Sequence, residues 1–370
     1  MKATPSRQSP AEWEETALLL PQTARELPTG RHQFHKERLM AHIEQDIQQN
    51  NHTATATAPQ ARPKTGRFRL LRPAITLPAL ACALAGAVVA TSVMNDGDGV
   101  RQGGVATGPA LTTQLGTPTT KGVPQLLDQI SLAAAETGNS AVKPGQYVYI
   151  ESKMAETYIR HDGDKVSLAS HALHKRQIWD SADGTKGWLI DPAVNHDPAG
   201  ETLSLPDELG NTPKATLNAP SYDFLAKLPT DPDKLLAMIY KASEGHGNSL
   251  DQQAFITIGD LLGESYPPAE LYSALFKAAK KIPGVVVVPD AKDALGRPGV
   301  AVARLDETGG SREEWIFDKK THVFLGEREV QVKETTEDGG LLKPGTVKFT
   351  SAIVKRAIVD GMKQLPTQNG

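Results

Sequence analysis

The most pronounced pattern along this chain is one uncharged, largely apolar run from Pro73 to Asn95, with arginines just before it and aspartates just after it. A helix of about 20 residues rises about 1.5 Å per residue and so spans a hydrocarbon core of about 30 Å. Helix also satisfies its own backbone hydrogen bonds in lipid, where no water is present to do so. The pattern therefore predicts a single transmembrane helix over residues 73–95.

Charge predicts the orientation of this helix, because Lys and Arg next to a membrane span tend to remain cytoplasmic. Residues 1–72 contain 11 Lys and Arg against 7 Asp and Glu, whereas the rest of the chain contains 29 against 36. We expect a single-pass protein of the cell membrane, with a cytoplasmic N-terminus and an extracytoplasmic C-terminal domain. A cleaved signal peptide is the alternative, but such a peptide lies within about the first 30 residues, and here the apolar run begins much later. A retained signal anchor is favoured.

A second apolar pattern precedes the span, in the predicted cytoplasmic arm of residues 1–50. Leu39, Ile43 and Ile47 recur every four residues, with Met40 beside them. This spacing predicts an amphipathic helix with a narrow apolar stripe. The stripe is too narrow to build a core, so the helix either docks on a partner or is only marginally stable. These four residues are the candidate partner-binding residues, and residues 51–72 form a basic, low-complexity linker.

Beyond the span, residues 96–123 are rich in Gly, Thr and Pro and predict a flexible linker. The extracytoplasmic domain is expected over residues 124–370. Helical periodicity appears in four segments, 124–136, 231–243, 251–264 and 267–282. Strand alternation appears in 146–153, 165–181, 187–191, 285–288, 299–307, 313–318, 321–334 and 347–362.

The order of these elements predicts the fold class of the domain. Helices and hairpin-linked strands that are segregated along the chain are typical of α+β architecture. Turn residues at Asp183-Gly184 and at 318–320 predict two β-hairpins. We expect a curved antiparallel sheet with a helical insert packed on its concave face, similar to the half-barrel folds of periplasmic lipoprotein carriers.

Composition excludes several kinds of chemistry. The sole cysteine is Cys82, inside the predicted span, so the outer domain has neither a disulfide nor a cysteine zinc site. Nucleophile elbows, phosphate-binding loops, zinc-protease helices and dinucleotide-binding glycines are not found in the sequence. We therefore predict no enzymatic activity, no cofactor and no metal. The net charge of −3 gives no indication of nucleic-acid binding.

Two local patterns have simple structural interpretations. His171 and His174 lie three apart within a predicted strand, where residues three apart face opposite sides; they are not expected to share a metal ion. Glu313 and Glu314 are adjacent on another predicted strand and point apart. We expect them to be solvated residues at the rim of the sheet.

Several strings resemble a family of actinobacterial single-span membrane proteins that are known chiefly by a locus-tag name and are often encoded beside extracytoplasmic-function sigma factors. They are ELPTGRHQFHKERLMAHI at 26–43, LPTDPDKLL at 228–236, AFITIGDLL at 254–262, YPPAELYSALFKAAKKIPGV at 266–285 and DALGRPGVAVARLDE at 293–307, together with EEWIFDKKTHVFLGER at 313–328. The family has no established activity, so no site residue is carried over. The resemblance implies an anti-sigma-like membrane regulator. The arm has no cysteine, so it departs from the zinc-type anti-sigma signature.

Two functions follow as hypotheses. The first is a non-enzymatic envelope sensor or regulator whose arm contacts a cytoplasmic transcription factor of the sigma type, and whose outer domain recognises an envelope protein or ligand. The second is a membrane-anchored carrier or binding protein for an apolar ligand in the cell envelope, since a curved sheet under helices can enclose an apolar cavity.

Overall fold

The computed structural model describes residues 101–102, 105–136, 140–162, 165–195, 197–203, 214–245, 249–335 and 340–367. The predicted cytoplasmic arm, its basic linker and the predicted span at 73–95 lie outside these ranges, and so do Leu39, Met40, Ile43 and Ile47. Among the residues described, the structure contains no helix with both the length and the apolar character needed to cross a bilayer.

The described chain contains twelve strands and five helices. The strands are β1 (Arg101–Gln102), β2 (Val105–Pro109), β3 (Tyr147–Asp162), β4 (Lys165–His171), β5 (His174–Ser181), β6 (Gly187–Ile190), β7 (Glu201–Thr202), β8 (Val285–Lys292), β9 (Pro298–Leu305), β10 (Ser311–Phe317), β11 (Phe324–Gln331) and β12 (Val347–Val359). The helices are α1 (Val123–Glu136), α2 (Tyr222–Leu225), α3 (Pro232–Ala242), α4 (Leu250–Glu264) and α5 (Ala269–Ala279).

All twelve strands belong to one antiparallel sheet. Its main path runs β1-β2-β4-β3-β12-β11-β10-β9-β8, and β5, β6 and β7 branch from β3. The helices are inserted between β7 and β8, apart from α1, which precedes β3. The predicted α+β class with a curved antiparallel sheet and a helical insert is confirmed. Both predicted hairpins are also present, because β5 pairs with β6 and β10 pairs with β11.

The helices begin where the sequence provides caps. The side chain of Asp231 accepts a hydrogen bond from the Lys234 N–H at 2.9 Å and starts α3, with Pro232 at its first position. Ser249 caps α4 in the same way through the Gln252 N–H at 3.1 Å. The helical periodicity of residues 231–243 and 251–264 therefore coincides with real helices.

One face of the sheet is covered by helices, and α4 packs closely against it. Phe255 of α4 stacks on Trp315 of β10, with ring centroids 3.8 Å apart and planes 5° from parallel. Both side chains are fully buried. A methyl group at Gly259 would lie 2.4 Å from the Trp315 indole nitrogen, so the absence of a side chain at this position lets the helix approach the ring.

One predicted strand is wrong in its extent. Residues 165–181 were expected to alternate as one strand, but the chain turns at Ala172 and Leu173, so that His171 ends β4 and His174 begins β5. Because the two strands are separate, the rule that residues three apart face opposite sides does not apply. The two imidazole rings lie edge to face with centroids 6.2 Å apart.

We expect Gly259→Ala to lower the free energy of unfolding by about 1–3 kcal/mol, because the new methyl group must displace a rigid, buried indole. In a free helix the same change would stabilise by about 1 kcal/mol. Gly263→Ala is the matched control in α4, since its methyl group would meet only the carboxylate end of Glu327, at 3.3 Å. Urea denaturation of both variants provides the measurement. Equal stabilities would contradict the close approach of α4 to Trp315.

Candidate functional site

The segment that follows the predicted span crosses the sheet from one end to the other. We call residues 105–121 the strap. It starts as β2, paired with β4 through Thr107 opposite His171. It then forms a bridge between Thr112 and Thr346, and ends with a bridge between Thr119 and Val287 of β8. Since β2 lies near one end of the main strand path and β8 at the other, the strap ties the two ends together.

The prediction of a flexible linker over 96–123 is wrong for this part of the chain. Backbone hydrogen bonds hold it at Thr113, whose N–H donates to the Gly345 carbonyl at 2.8 Å, and at Thr119, which exchanges two bonds of 2.9 and 2.8 Å with Val287. A composition rich in Gly, Thr and Pro is typical of linkers. Here the same residues are ordered by partners that are distant in the sequence.

The strap lies on the face of the sheet that is opposite to the helices, and it packs there against an apolar surface. That surface combines small residues with a few larger ones, namely Val288, Ala291, Ala301, Ala303 and Ile316. Gly116 is in close contact there, because a methyl group at this position would lie 2.5 Å from a Val288 methyl carbon. The strap can therefore approach Val288 this closely only because Gly116 has no side chain.

A fully buried carboxylate lies on this same face, close to the strap. Glu314 of β10 has no exposed side-chain surface and accepts hydrogen bonds from Arg312 at 2.8 Å and from Arg328 at 2.9 Å. The Arg328 guanidinium also donates to the hydroxyl of Thr113 in the strap at 3.2 Å. The strap thus takes part directly in solvating this ion cluster.

The expectation that Glu313 and Glu314 are solvated rim residues is wrong. Their exposed fractions are 4% and 0%, although they do point to opposite faces. A buried carboxylate is tolerated only when cations and hydrogen bonds replace water. Arg312, two residues along β10 on the same face, and Arg328 of the neighbouring strand β11 meet that condition for Glu314. The alternation of β10 by itself carries no information about Arg328.

A second buried ion cluster lies where the strap first joins the sheet. His174 and Arg176 of β5 both contact Asp191, which follows β6. The His174 Nε2 to Asp191 Oδ1 distance is 3.1 Å, and the Arg176 Nη1 to Asp191 Oδ2 distance is also 3.1 Å. Burial by itself raises the pKa of Asp191, but the contacts with His174 and Arg176 outweigh it and hold that pKa below its ordinary value. Asp191 is therefore a buried anion.

Near α4, the helix-covered face contains a small cleft. Its lining includes Arg176, Glu264 and Glu327 among aliphatic and aromatic side chains such as Ile150 and Phe349. The cavity volume is about 20 Å³, room for about one water molecule. An acyl chain would enter this cleft only if α4 moved away from the sheet.

Asp180 lies further along β5 on the same face. Burial raises its pKa to about 7, against the opposing influence of Arg176, and the carboxylate of Glu264 raises it further. Asp180 therefore changes charge near neutral pH.

The structure and the sequence prediction therefore locate different candidate residues. The predicted partner-binding residues lie in the arm, outside the described ranges. The residues that the structure brings together are Thr113, His174, Arg176, Asp191, Glu314 and Arg328. Within the described part of the chain, no group of three or more His, Cys, Asp or Glu side chains is placed to hold a metal ion. In the sequence, the one indication of these ion clusters was the presence of charged residues within strongly alternating strands.

Comparison with known proteins finds no matching family model and no matching curated protein. Among solved structures, the chain is similar to a chain of the MucA/MucB complex of Pseudomonas aeruginosa, with 12% sequence identity and a TM-score of 0.22. The match covers 67% of this chain and 59% of that chain. A TM-score this low is also obtained between unrelated architectures, so neither fold nor function is inferred from it.

Glu314→Gln should destabilise the domain by about 3–5 kcal/mol, because it leaves two buried guanidinium groups without their shared anion. Glu307→Gln is the control: Glu307 pairs with Lys333 at an exposed site, where an ion pair contributes less than about 1 kcal/mol. Chemical denaturation measures both changes. A Glu314 variant as stable as the Glu307 variant would show that the buried cluster contributes little.

Gly116→Ala should loosen the strap, since the added methyl group overlaps Val288. We expect protection of the strap amides from hydrogen exchange to fall about tenfold, as an overpacking cost of about 1.4 kcal/mol implies. Gly108→Ala is a control within the same segment, because its methyl group would find its nearest neighbour, the Ser170 hydroxyl, at 4.0 Å. Hydrogen exchange with mass spectrometry resolves the two cases. Unchanged protection in both variants would contradict the tight seating of the strap.

Proposed function

We propose that this chain is a single-pass membrane regulator whose outer domain senses the state of the cell envelope and passes it to a cytoplasmic transcription factor of the sigma type. The observation that carries the proposal is the strap. It joins both ends of the sheet and begins about ten residues after the predicted span, whose last residue is Asn95. Because this connection is short, a conformational change in the sheet would be transmitted to the predicted transmembrane helix.

Three features support the separate parts of this proposal. The uncharged run at 73–95 and its basic flank support a span with the N-terminus inside. The apolar stripe of Leu39, Ile43 and Ile47 supports a docking helix in the arm. The sequence resemblance described above supports a sigma factor as the partner.

The buried ion clusters favour a regulatory domain that changes conformation over a domain with a purely structural role. Movement of the turn after β6 would separate Asp191 from Arg176, and movement of the strap would remove the Thr113 hydroxyl from Arg328. Removing one partner from a buried ion cluster is strongly unfavourable. A sheet held by these clusters is expected to change state as a unit.

The proposal is tested in cells that carry the full-length chain, with a photo-crosslinking amino acid placed in the arm. We expect the arm to be crosslinked to a sigma factor, and Leu39→Asp or Ile43→Asp to reduce the yield at least about tenfold, because each puts a charge in the apolar stripe. His32→Gln, elsewhere on the same arm, is the control and should retain the wild-type yield.

Two results would overturn this function. The first is an arm that captures no cytoplasmic protein while the chain is stably expressed. The second is a topology reporter at Gly370 that is active in the cytoplasm, since the outer domain would then lie on the wrong side of the membrane. Lipid recovered with the purified chain at one molecule per domain would instead favour the carrier hypothesis.

A further inference from the structure

Past the strap, β3 and β4 continue as a two-stranded ribbon. In the described register, β12 pairs with β3 up to Glu156, and β2 pairs with β4 from Ala169 to His171. Residues 159–162 of β3 and 165–168 of β4, which we call the ribbon, pair with each other. The ribbon therefore extends beyond both neighbouring strands.

One face of the ribbon is apolar and exposed. Ile159 lies opposite Leu168, and in the next row His161 lies opposite Val166. Residues two apart along a strand share a face, so these side chains lie on the face that meets the strap one row earlier, where the Thr157 hydroxyl accepts a strap N–H at 3.1 Å. Ile159 and Val166 are 38% and 43% exposed. Because a two-stranded ribbon is only marginally stable in water, an exposed apolar face on it favours a partner.

The direction of β1 shows from which side the chain enters the sheet. β1 is antiparallel to β2, and β2 is antiparallel to β4, so β1 and β4 run in the same direction. β4 runs from Lys165, at the outer end of the ribbon, to His171. The chain therefore enters β1 from the side toward which the ribbon projects.

Distances along the strands can be compared with the reach of the chain. Arg101 lies opposite Ala106, whose carbonyl accepts the Ala172 N–H at 2.8 Å, so Arg101 is level with Ala172. Val166 precedes Ala172 by six residues, about 20 Å at the rise of a strand. Asn95, where the predicted span ends, precedes Arg101 by six residues and lies at most about 22 Å from it. A ribbon directed toward the membrane therefore reaches the membrane surface.

The charges of this hairpin indicate the kind of lipid contact. In the sequence, Arg160 and Lys165 are balanced by Asp162 and Asp164. A segment without net charge is not attracted to anionic lipid in the way that a polybasic segment is. The contact is therefore expected to be apolar and to be independent of lipid charge.

We propose that the ribbon inserts Ile159 and Val166 into the surface of the membrane that holds the predicted span. The span and the ribbon would then hold the domain at two separate points, so that the sheet keeps one orientation relative to the bilayer. As a regulatory contact this rests on the proposed function, in which the sheet transmits its conformational state to the span.

The test uses the full-length chain in phosphatidylcholine nanodiscs, in a Cys82→Ser background that removes the sole cysteine. A cysteine introduced by His161→Cys carries a fluorescent label on the apolar face. With lipids that carry a nitroxide near the headgroups, emission should fall about twofold, because interfacial segments bury their apolar face about 5–10 Å into this region. Anionic lipid or high salt should leave this quenching unchanged.

The matched control position is Val323, in the turn between β10 and β11. It is 45% exposed, close to the value for Val166. β11 runs in the same direction as β3, since both are antiparallel to β12, so this turn lies at the end of the sheet opposite to the ribbon. A label introduced by Val323→Cys should not be quenched.

The apolar cause is tested by the double substitution Ile159→Asp and Val166→Asp, which should abolish quenching of the label at position 161. Val323→Asp should leave that quenching intact. If the aspartate pair does not fold, Ile159→Ser with Val166→Ser takes its place. Quenching that survives either pair, or that requires anionic lipid, would overturn the proposed apolar contact.

The outcomes separate this contact from the proposed function. An unquenched label at position 161, in a chain that elutes with the nanodiscs, overturns the lipid contact even if its emission is shifted by a second copy or another protein. Quenching at that position together with an arm that captures no partner overturns the proposed function and leaves the lipid contact intact. A chain that does not elute with the nanodiscs lacks the predicted span, and both proposals then fail.

Discussion

The structure depends on the passage of a single segment across an open sheet. An antiparallel sheet of this size has two free ends, and nothing in strand pairing alone fixes one end relative to the other. The strap pairs near the first end through β2, crosses the face without helices, and pairs with β8 at the second. The strap therefore links the two ends of the sheet through the polypeptide chain itself. Its contacts with β3 and β4 join residues about 45–65 positions apart, and its contacts with β8 and the segment before β12 join residues more than 160 positions apart, so they depend on several separate parts of the domain.

The two faces of the sheet are stabilised by different kinds of interaction. On the helix-covered face, α4 fills the space above the strands, and the stacked rings of Phe255 and Trp315 set the distance between helix and sheet. On the other face lies none of the five helices described above, and a narrow segment must exclude water from a buried carboxylate. Small residues let the segment lie flat, while Arg312 and Arg328 replace the water that Glu314 has lost. Dispersion packing stabilises the first face, and compensation of charge stabilises the second.

The two ion clusters lie at different points along the strap. The Glu314 cluster is held beneath its middle through Thr113, and the His174 cluster is connected to its start through Ala172. Buried charges of this kind add little stability compared with apolar groups of the same shape, but they are sensitive to the loss of any one partner.

Local pattern alone determined the elements of the domain. The periodicity of residues 231–282 predicts its helices, and Asp231 supplies a cap that needs only neighbouring residues. Alternation predicts most strands, and turn residues predict two hairpins, because hairpin pairing is a short-range interaction. Tertiary structure decided the rest. Whether Gly116 and Thr119 belong to a linker or to a strap depends on partners such as Val287, more than 160 positions away. Likewise Glu314 is buried rather than solvated because Arg328 of β11 and the strap also lie beside it, and the alternation of β10 indicates only its partner Arg312 on the same strand.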